Sequence, residues 1–512
     1  LLFFLIHCPR LGEIWQLERL LQQQTQILDF QPMTEDVAQQ RQALAAGPAV
    51  TVLGERRFRA GGFDWQWEDF TKSCMVFGQT GSGKTVCVLN ALLEGLLASA
   101  APARQAPGAL ILDPKGDFRT KIQVLAQRYQ QTSRLFVLDP HPEALAASLK
   151  AGYREYQARV IAHWNPFDSP DEALELAGRF VAVLRTLGVV GGDDPFWANS
   201  ARDFLQHAIE LIRASNPPDD PPNFEQVYAL IFDQEKTVQR IEQADLNPAT
   251  LQRVDEYFTH TWWGMSDRTR SGIQGLLTNM ISPFRTAPYN QFFSGKSSIR
   301  LGAILDEGGL FYMHMPVAER EMMARTIGTL IKLEFFREVL RRPGKMRPSF
   351  FLCDEFQSFF TVGGDRGDAD FFERSRQSRH ANIVATQNLS GLFRQAGEKQ
   401  AVVDSLLGNC AVKIFLRNTD SKTNDYAAKL FGEKHFDVVN VQFNNPPGAW
   451  KGFCPQGQSY TTSPQRVPLL PPETFPALAI PPHVDYTETV VHLGARTQVH
   501  AEKLRWKVHP IV

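Results

Sequence analysis

The chain is short of the features that mark secreted, membrane-embedded or nucleic-acid-coating proteins. Its 512 residues include six cysteines, Cys8, Cys74, Cys87, Cys353, Cys410 and Cys454, widely spaced and with no C-x-x-C pair. That pattern argues against a zinc site and an extracellular disulfide framework, and fits a reduced, cytosolic setting. Charge of one sign is not in excess: 54 Lys and Arg stand against 55 Asp and Glu, a formal net charge of -1. Any contact with nucleic acid must then be local, because no global positive field exists to supply it. Long apolar runs are missing too. Leu1 to Ile6 falls far below the roughly 20 residues a spanning helix needs. The opening LLFFLIH, followed by Arg10, reads either as the last turns of a membrane helix with a basic flank or as the start of an amphipathic helix.

What is present is ordinary globular composition, 43% hydrophobic, in a chain too long for one core of about 100 to 200 residues. Residues 13–45 are Gln-rich with a helical pattern (Leu17, Leu20, Leu21, Ile27, Leu28) and read as a connector. Pro48 to Phe70, with Gly61 and Gly62, predicts a hairpin, and Cys74 to Phe77 a buried strand. There follow a helix from about Lys84 to Ser99, a strand at Ala109 to Leu112, a helix from about Phe118 to Gln130 and a strand at Leu135 to Leu138. Strand and helix in alternation predict a parallel sheet. Between Pro170 and about Arg300, helical patterns succeed one another across Pro-rich breaks such as Asn216 to Pro222. Alternation resumes with a strand at Gly309 to Met315, a helix from about Ala318 to Arg342, and strands at Ser349 to Cys353, Asn382 to Ala385 and Val412 to Leu416. One α/β domain split by an all-helical insertion is therefore expected. After Gln465 a single last strand is expected, Glu488 to His492.

The strongest motif is Gly78-Gln79-Thr80-Gly81-Ser82-Gly83-Lys84-Thr85, a G-x-x-x-x-G-K-[ST] loop between a predicted strand and a predicted helix. Glycines let the backbone turn tightly and aim its N–H groups at a phosphate chain, with the helix dipole behind them. Lys84 is expected to pair with the β- and γ-phosphates of ATP, and Thr85 to bring its hydroxyl to Mg²⁺. A site of this kind also needs carboxylates. Phe350 to Glu355 supplies them: Asp354 at the strand end to hold Mg²⁺ through water, and Glu355 to polarise the attacking water.

Gln387 ends a further strand at the edge where nucleotides bind, so it reads either as a γ-phosphate sensor or as a cap for the next helix. Arg374, Arg376 and Arg379 form either an arginine finger for a neighbour's nucleotide or a solvated basic face. Asp113-Pro114-Lys115-Gly116-Asp117 is a turn by its chemistry, placed where Asp113 or Lys115 could touch the site. Two stretches carry a local positive excess: Arg337 to Arg347, and Arg253 to Arg300 with Trp262, Trp263 and Phe284 interleaved. Such a mix suits a single strand's phosphates and bases, or else marks helix core.

Taken in order, GQTGSGKT, LILDPKGD, WNPFD (Trp164 to Asp168), FWANSARDFLQ (Phe196 to Gln206), FLCDEF and ATQNLSGL resemble the coupling proteins of type IV secretion and conjugation (TraG/TraD-like), over about residues 50–500. The resemblance implies a RecA-like hexameric P-loop ATPase using ATP and Mg²⁺, with 48–168 and 301–512 as two parts of a nucleotide-binding domain, 169–300 as an all-α domain facing the substrate, and 1–47 as a connector. By position, Lys84, Thr85, Asp354, Glu355 and Gln387 match the family's nucleotide-site residues, and Arg376 its candidate finger. Implied partners are single- or double-stranded DNA, a relaxase–DNA complex or effector proteins, and components of the secretion channel. The implied place is the cytoplasmic face of the bacterial inner membrane. The family's two N-terminal membrane helices have at most the end of one counterpart here, so a missing anchor is expected. Two rival readings stand beside this one: a DNA pump of the FtsK or HerA type, disfavoured by the helical insertion and by DPKGD, and a nucleotide-gated receptor that hydrolyses little.

Overall fold

The computed structural model describes residues 57–98, 106–140, 162–188, 195–342, 347–363, 367–397, 399–443, 458–494 and 501–511, with 61 and 510 excepted. All belong to the unit Val52–Val512. The expected connector and the opening apolar turns lie outside the described residues.

The strands, in chain order, are β1 (Arg57–Ala60), β2 (Phe63–Gln66), β3 (Cys74–Phe77), β4 (Gly108–Leu112), β5 (Leu135–Leu138), β6 (Leu310–Met313), β7 (Ser349–Cys353), β8 (His380–Thr386), β9 (Val412–Phe415), β10 (Glu433–Phe443), β11 (Gln458–Pro468), β12 (Tyr486–Leu493) and β13 (Ala501–Lys507). Nine of them form one sheet in the order β13-β12-β9-β3-β8-β7-β4-β6-β5. The run from β9 to β5 is parallel throughout, and β12 and β13 add an antiparallel edge. β3, β4, β7, β8 and β9 are buried along their whole length, as continuous apolar runs must be when both faces of a parallel sheet are covered. Alternate residues feed two cores. Met75, Phe77, Leu110 and Leu112 face one, and Cys74, Val76, Ala109 and Ile111 the other, because strand side chains alternate sides.

Between β5 and β6 every described element is helical, including Ala173–Thr186, Pro195–Ser215, Phe224–Phe232, Gln234–Gln243, Pro248–Glu256, Asp267–Ile281 and Leu301–Glu307. Their apolar stripes join the core that contains Met75 and Phe77. The WNPFD element staples this segment together. Asn165 Nδ2 donates to the Pro222 and Gly295 carbonyls, both at 2.9 Å, and Asp168 Oδ2 accepts the Ser297 N–H at 2.7 Å.

The chain end departs from expectation. Besides β12 there is a further strand, β13, and an antiparallel hairpin of β10 with β11. β13 was hidden by its charges: Leu504 and Trp506 are buried while Lys503, Arg505 and Lys507 face solvent, the charged pattern that protects a sheet edge. In the stretch read as a hairpin, β1 pairs with β2, and Trp67–Thr71 is already helical.

Candidate nucleotide site

The register of the parallel strands decides what meets at the carboxyl edge of the sheet. Phe77 pairs with Thr386 and Leu112 with Cys353, so the residues that follow each strand leave the sheet together. Gly78 N–H donates to the Thr386 carbonyl at 3.2 Å, and Asp354 N–H to that of Leu112 at 3.2 Å.

The loop after β3 then folds back on itself. Gly81 and Gly83 are left-handed at φ +77° and +86°, a conformation glycine adopts without steric cost. A Cβ on Gly78 would stand 2.5 Å from Ser82 Oγ. Ser82 Oγ and Gln79 Oε1 are buried with no protein partner, and Thr80 and Gly81 form the exposed tip. These features fit a phosphate cradle. The helix that follows opens as a π-turn over Lys84–Leu89 and continues as an α-helix over Asn90–Ala98. Such π-turns are frequent at functional sites.

Lys84 is 5% exposed, its ammonium 3.4 Å from the Gly78 carbonyl, 3.4 Å from Glu355 Oε1 and 3.9 Å from Asp354 Oδ1. Thr85 Oγ1 donates to Asp354 Oδ2 at 2.6 Å. The two groups expected to hold Mg²⁺ are thus in contact. With one hydroxyl and one carboxylate they fit an ion that keeps most of its sphere as water and phosphate oxygen. Among the described residues no cluster of three or more His, Cys, Asp or Glu offers a metal cage.

Glu355 adopts φ 45°, ψ 47°, a left-handed backbone that costs a non-glycine residue about 1–2 kcal/mol. Asp354 Oδ1 accepts the Glu355 N–H at 2.8 Å and secures it. The Glu355 carboxylate is bracketed: Lys84 and Lys115 face Oε1, Lys115 at 2.6 Å, and Gln357 Nε2 donates to Oε2 at 2.5 Å. Burial alone would raise its pKa, but Lys84, Lys115 and Gln357 together bring it down to about 2. It is therefore ionised at neutral pH.

The expected residues do not all converge. Gln387 lies at the same edge, one residue past Thr386, and its carbonyl accepts Asn418 Nδ2 at 2.8 Å. The cap of helix Leu389–Ala396 is Asn388, whose Oδ1 accepts the Gly391 N–H at 2.8 Å, so the capping role considered for Gln387 falls to its neighbour. Arg376 is at the other end of β8, exposed in the turn Ser375–Ser378. A seven-residue strand of about 3.3 Å per residue separates it from its own P-loop. Arg374 pairs with Asp370 at 2.7 Å. Arg379 is half-buried and left-handed at φ 52°.

Three contributors were not singled out by sequence. Gln357 joins Glu355 to β8, accepting from Thr386 Oγ1 at 2.8 Å. Thr487, on β12, donates to the Ser82 carbonyl at 2.7 Å. His509 N–H bonds the Val86 carbonyl at 3.0 Å. None has a local signature, because each acts through strand register. In DPKGD it is Lys115 that touches the site. Asp113 holds the turn, accepting from the Phe118 and Lys115 N–H groups at 2.7 and 3.0 Å. Burial pushes its carboxyl up to about 6, with the Phe118 N–H pulling it back and the Asp354 charge adding to the rise.

Most of the basic and aromatic side chains described in these stretches are taken up by the fold, while Trp263 is half-buried with Arg270 over its ring and Arg268 and Arg300 are exposed. Trp262 and Phe284 are buried at 0% and 1%, which leaves no face for stacking on a base. Arg337 and Arg341 bond Asp171, Arg342 bonds Asp306, Arg347 the Ala106 carbonyl, and Arg285 Glu225.

The sheet and its loop define a P-loop NTPase of the RecA-like α/β type. Residues 57–451 match the family model described as the type IV secretion-system coupling protein DNA-binding domain, and the chain belongs to that family. Similar solved structures are the bacterial conjugative coupling protein TrwBΔN70 in its unbound form (TM-score 0.59, 15% identity, 89% of each chain covered), the plasmid coupling protein TrwB with the non-hydrolysable ATP analogue ADPNP (0.60, 15%, 89% of this chain and 90% of that one), and TrwB with ADP and Mg²⁺ (0.59, 15%, 89% and 90%). At that identity the likeness establishes the fold. Comparison with curated protein sequences gives no significant match. No helix among the described residues is long and apolar enough to cross a membrane.

Proposed function

We propose that the chain is an ATP-hydrolysing coupling protein of a type IV secretion or conjugation system. It would recruit a relaxase–DNA complex or an effector and drive DNA, single- or double-stranded, to the secretion channel. The observation that carries the reading is the contact of Thr85 Oγ1 with Asp354 Oδ2 at 2.6 Å beside the buried Lys84, a hydroxyl, a carboxylate and an ammonium at the mouth of a glycine loop. Bound Mg²⁺-ATP would supply the phosphoanhydride and the metal charge that these groups address.

The Gly78, Gln79 and Ser82 N–H groups are given to carbonyls, so the loop's other N–H groups would face the phosphates, Lys84 would donate to the outer two, and Thr85 and Asp354 would hold the metal. Glu355, ionised in the nucleotide-free site, suits orienting and polarising a water. Gln387 senses the γ-phosphate. Arg376, exposed at the far end of β8, serves a neighbour's nucleotide, which calls for a closed ring, a homohexamer on family grounds. Residues 169–300 form the all-α domain facing the substrate, between the two parts of the nucleotide domain at 48–168 and 301–512. Inner-membrane attachment rests on family membership.

The test is steady-state ATP turnover with and without single-stranded DNA. A motor is stimulated several-fold at about 50 mM salt and loses that stimulation near 200 mM, as phosphate contacts are screened. Slow turnover indifferent to DNA would instead favour the nucleotide-gated receptor.

A further inference from the structure

Lys115 pairs with Glu355 but is given no nucleotide contact above, yet its turn is firmly built at the sheet edge. Asp113 accepts two of its N–H groups, and the Pro114 carbonyl accepts the Val317 N–H at 2.7 Å. Gly116, left-handed at φ +79°, lies so close to Pro316 that a Cβ would stand 2.9 Å from its ring. The Lys115 backbone is thereby fixed to the exits of both β4 and β6. Its side chain is 43% exposed, against 5% for Lys84, and a four-carbon stem with three donors can turn to another acceptor. Its ammonium meets the same Glu355 oxygen that Lys84 faces, at 2.6 Å against 3.4 Å.

Two lysines from segments far apart in sequence meet at one carboxylate oxygen, with Asp354 also 3.9 Å from Lys84, and a terminal phosphate, with about two charges on three oxygens, could take both ammoniums. The order of contacts gives each lysine its place. Lys84 lies between the Gly78 carbonyl and Glu355, on the loop side. Lys115 reaches Glu355 from the β4 exit, remote from the loop, where the outer end of a phosphate chain would lie.

We propose that Lys115 is a second phosphate-contacting lysine, directed to the terminal phosphate of a nucleoside triphosphate, so that it distinguishes triphosphate from diphosphate. The inference rests on the nucleotide-site reading above. The experiment is equilibrium binding of a fluorescent ADP and a fluorescent non-hydrolysable ATP analogue, each with Mg²⁺, to the full chain, with the melting temperature of each nucleotide-free variant as a check. Lys115→Met is expected to weaken the analogue roughly ten- to a hundred-fold and ADP by less than about threefold, the loss of one charged hydrogen bond. Lys115→Arg should keep most of the discrimination. If Lys115→Met melts early, Lys115→Gln gives the same comparison. Equal losses for both nucleotides, or none for the analogue, overturn the proposal. Lys84→Ala separates the two levels: if it leaves both affinities intact, the nucleotide site itself is wrong. If it abolishes both while Lys115→Met changes nothing, only the role of Lys115 fails.

Discussion

Glu355 and Glu334 are both buried glutamates in contact with basic side chains, yet their carboxyl groups shift in opposite directions. Glu355, at the sheet edge, is brought down to about 2 because two lysines and an amide outweigh its burial. Glu334, on the helix Val317–Leu340, is pushed up to about 7 by burial. Arg179 lies 3.3 Å away, but that arginine is shared with Asp171, and the charges of Asp171 and Glu338 add to the rise. The sheet edge thus brings two lysines to one glutamate oxygen, with Asp354 3.9 Å from Lys84 beside them. The cluster behind it is close to balance, with the fully buried Asp171 side chain bonded to Arg179, Arg337 and Arg341. The number of charges does not separate a site from a scaffold; the glycine loop beside the two lysines does.

Disrupting the scaffold should leave the chemistry intact. Asp171→Asn strips three arginines of their shared carboxylate and is expected to cost about 3 kcal/mol, the lower range for breaking a buried ion pair. Urea unfolding would show the loss, while ATP turnover per folded molecule stays near wild type. A fall in turnover without a fall in stability would merge the two regions into one functional unit.

A smaller effect sharpens the contrast through pH. Glu334 has its folded pKa near 7, above its ordinary value of 4.5, so between those values the folded state binds more protons than the unfolded one. Its contribution to stability is present below about pH 4.5 and is lost as pH rises through 7. Glu334→Gln should therefore gain stability relative to wild type by roughly 2–3 kcal/mol on going from pH 5 to pH 8. Parallel stability profiles for the two proteins would mean that Glu334 ionises no differently when folded.

The reach of the sequence follows the same division. The P-loop, the acidic pair and the buried strands were legible because each is a local pattern: glycines at fixed offsets, or apolar runs ending in a carboxylate. Lys115 was placed at the edge by its turn, though not on Glu355, 240 positions away; Gln357 and Thr487 were not legible, since partners 29 and 405 positions away are united with them only by strand register. For Trp262, Phe284 and the arginines near 337–347 the sequence left a nucleic-acid surface and helix core both open, because composition cannot tell an arginine bonded to Asp171 from one facing solvent. β13 escaped because three solvent-facing charges mask its two buried residues.

The most direct test of the central claim is Glu355→Gln, assayed for both analogue binding and ATP turnover. The substitution keeps the side chain's size and removes the charge that Lys84 and Lys115 hold. Analogue affinity is expected to stay within about threefold of wild type and turnover to fall by at least about a hundredfold. Unchanged turnover would contradict that claim.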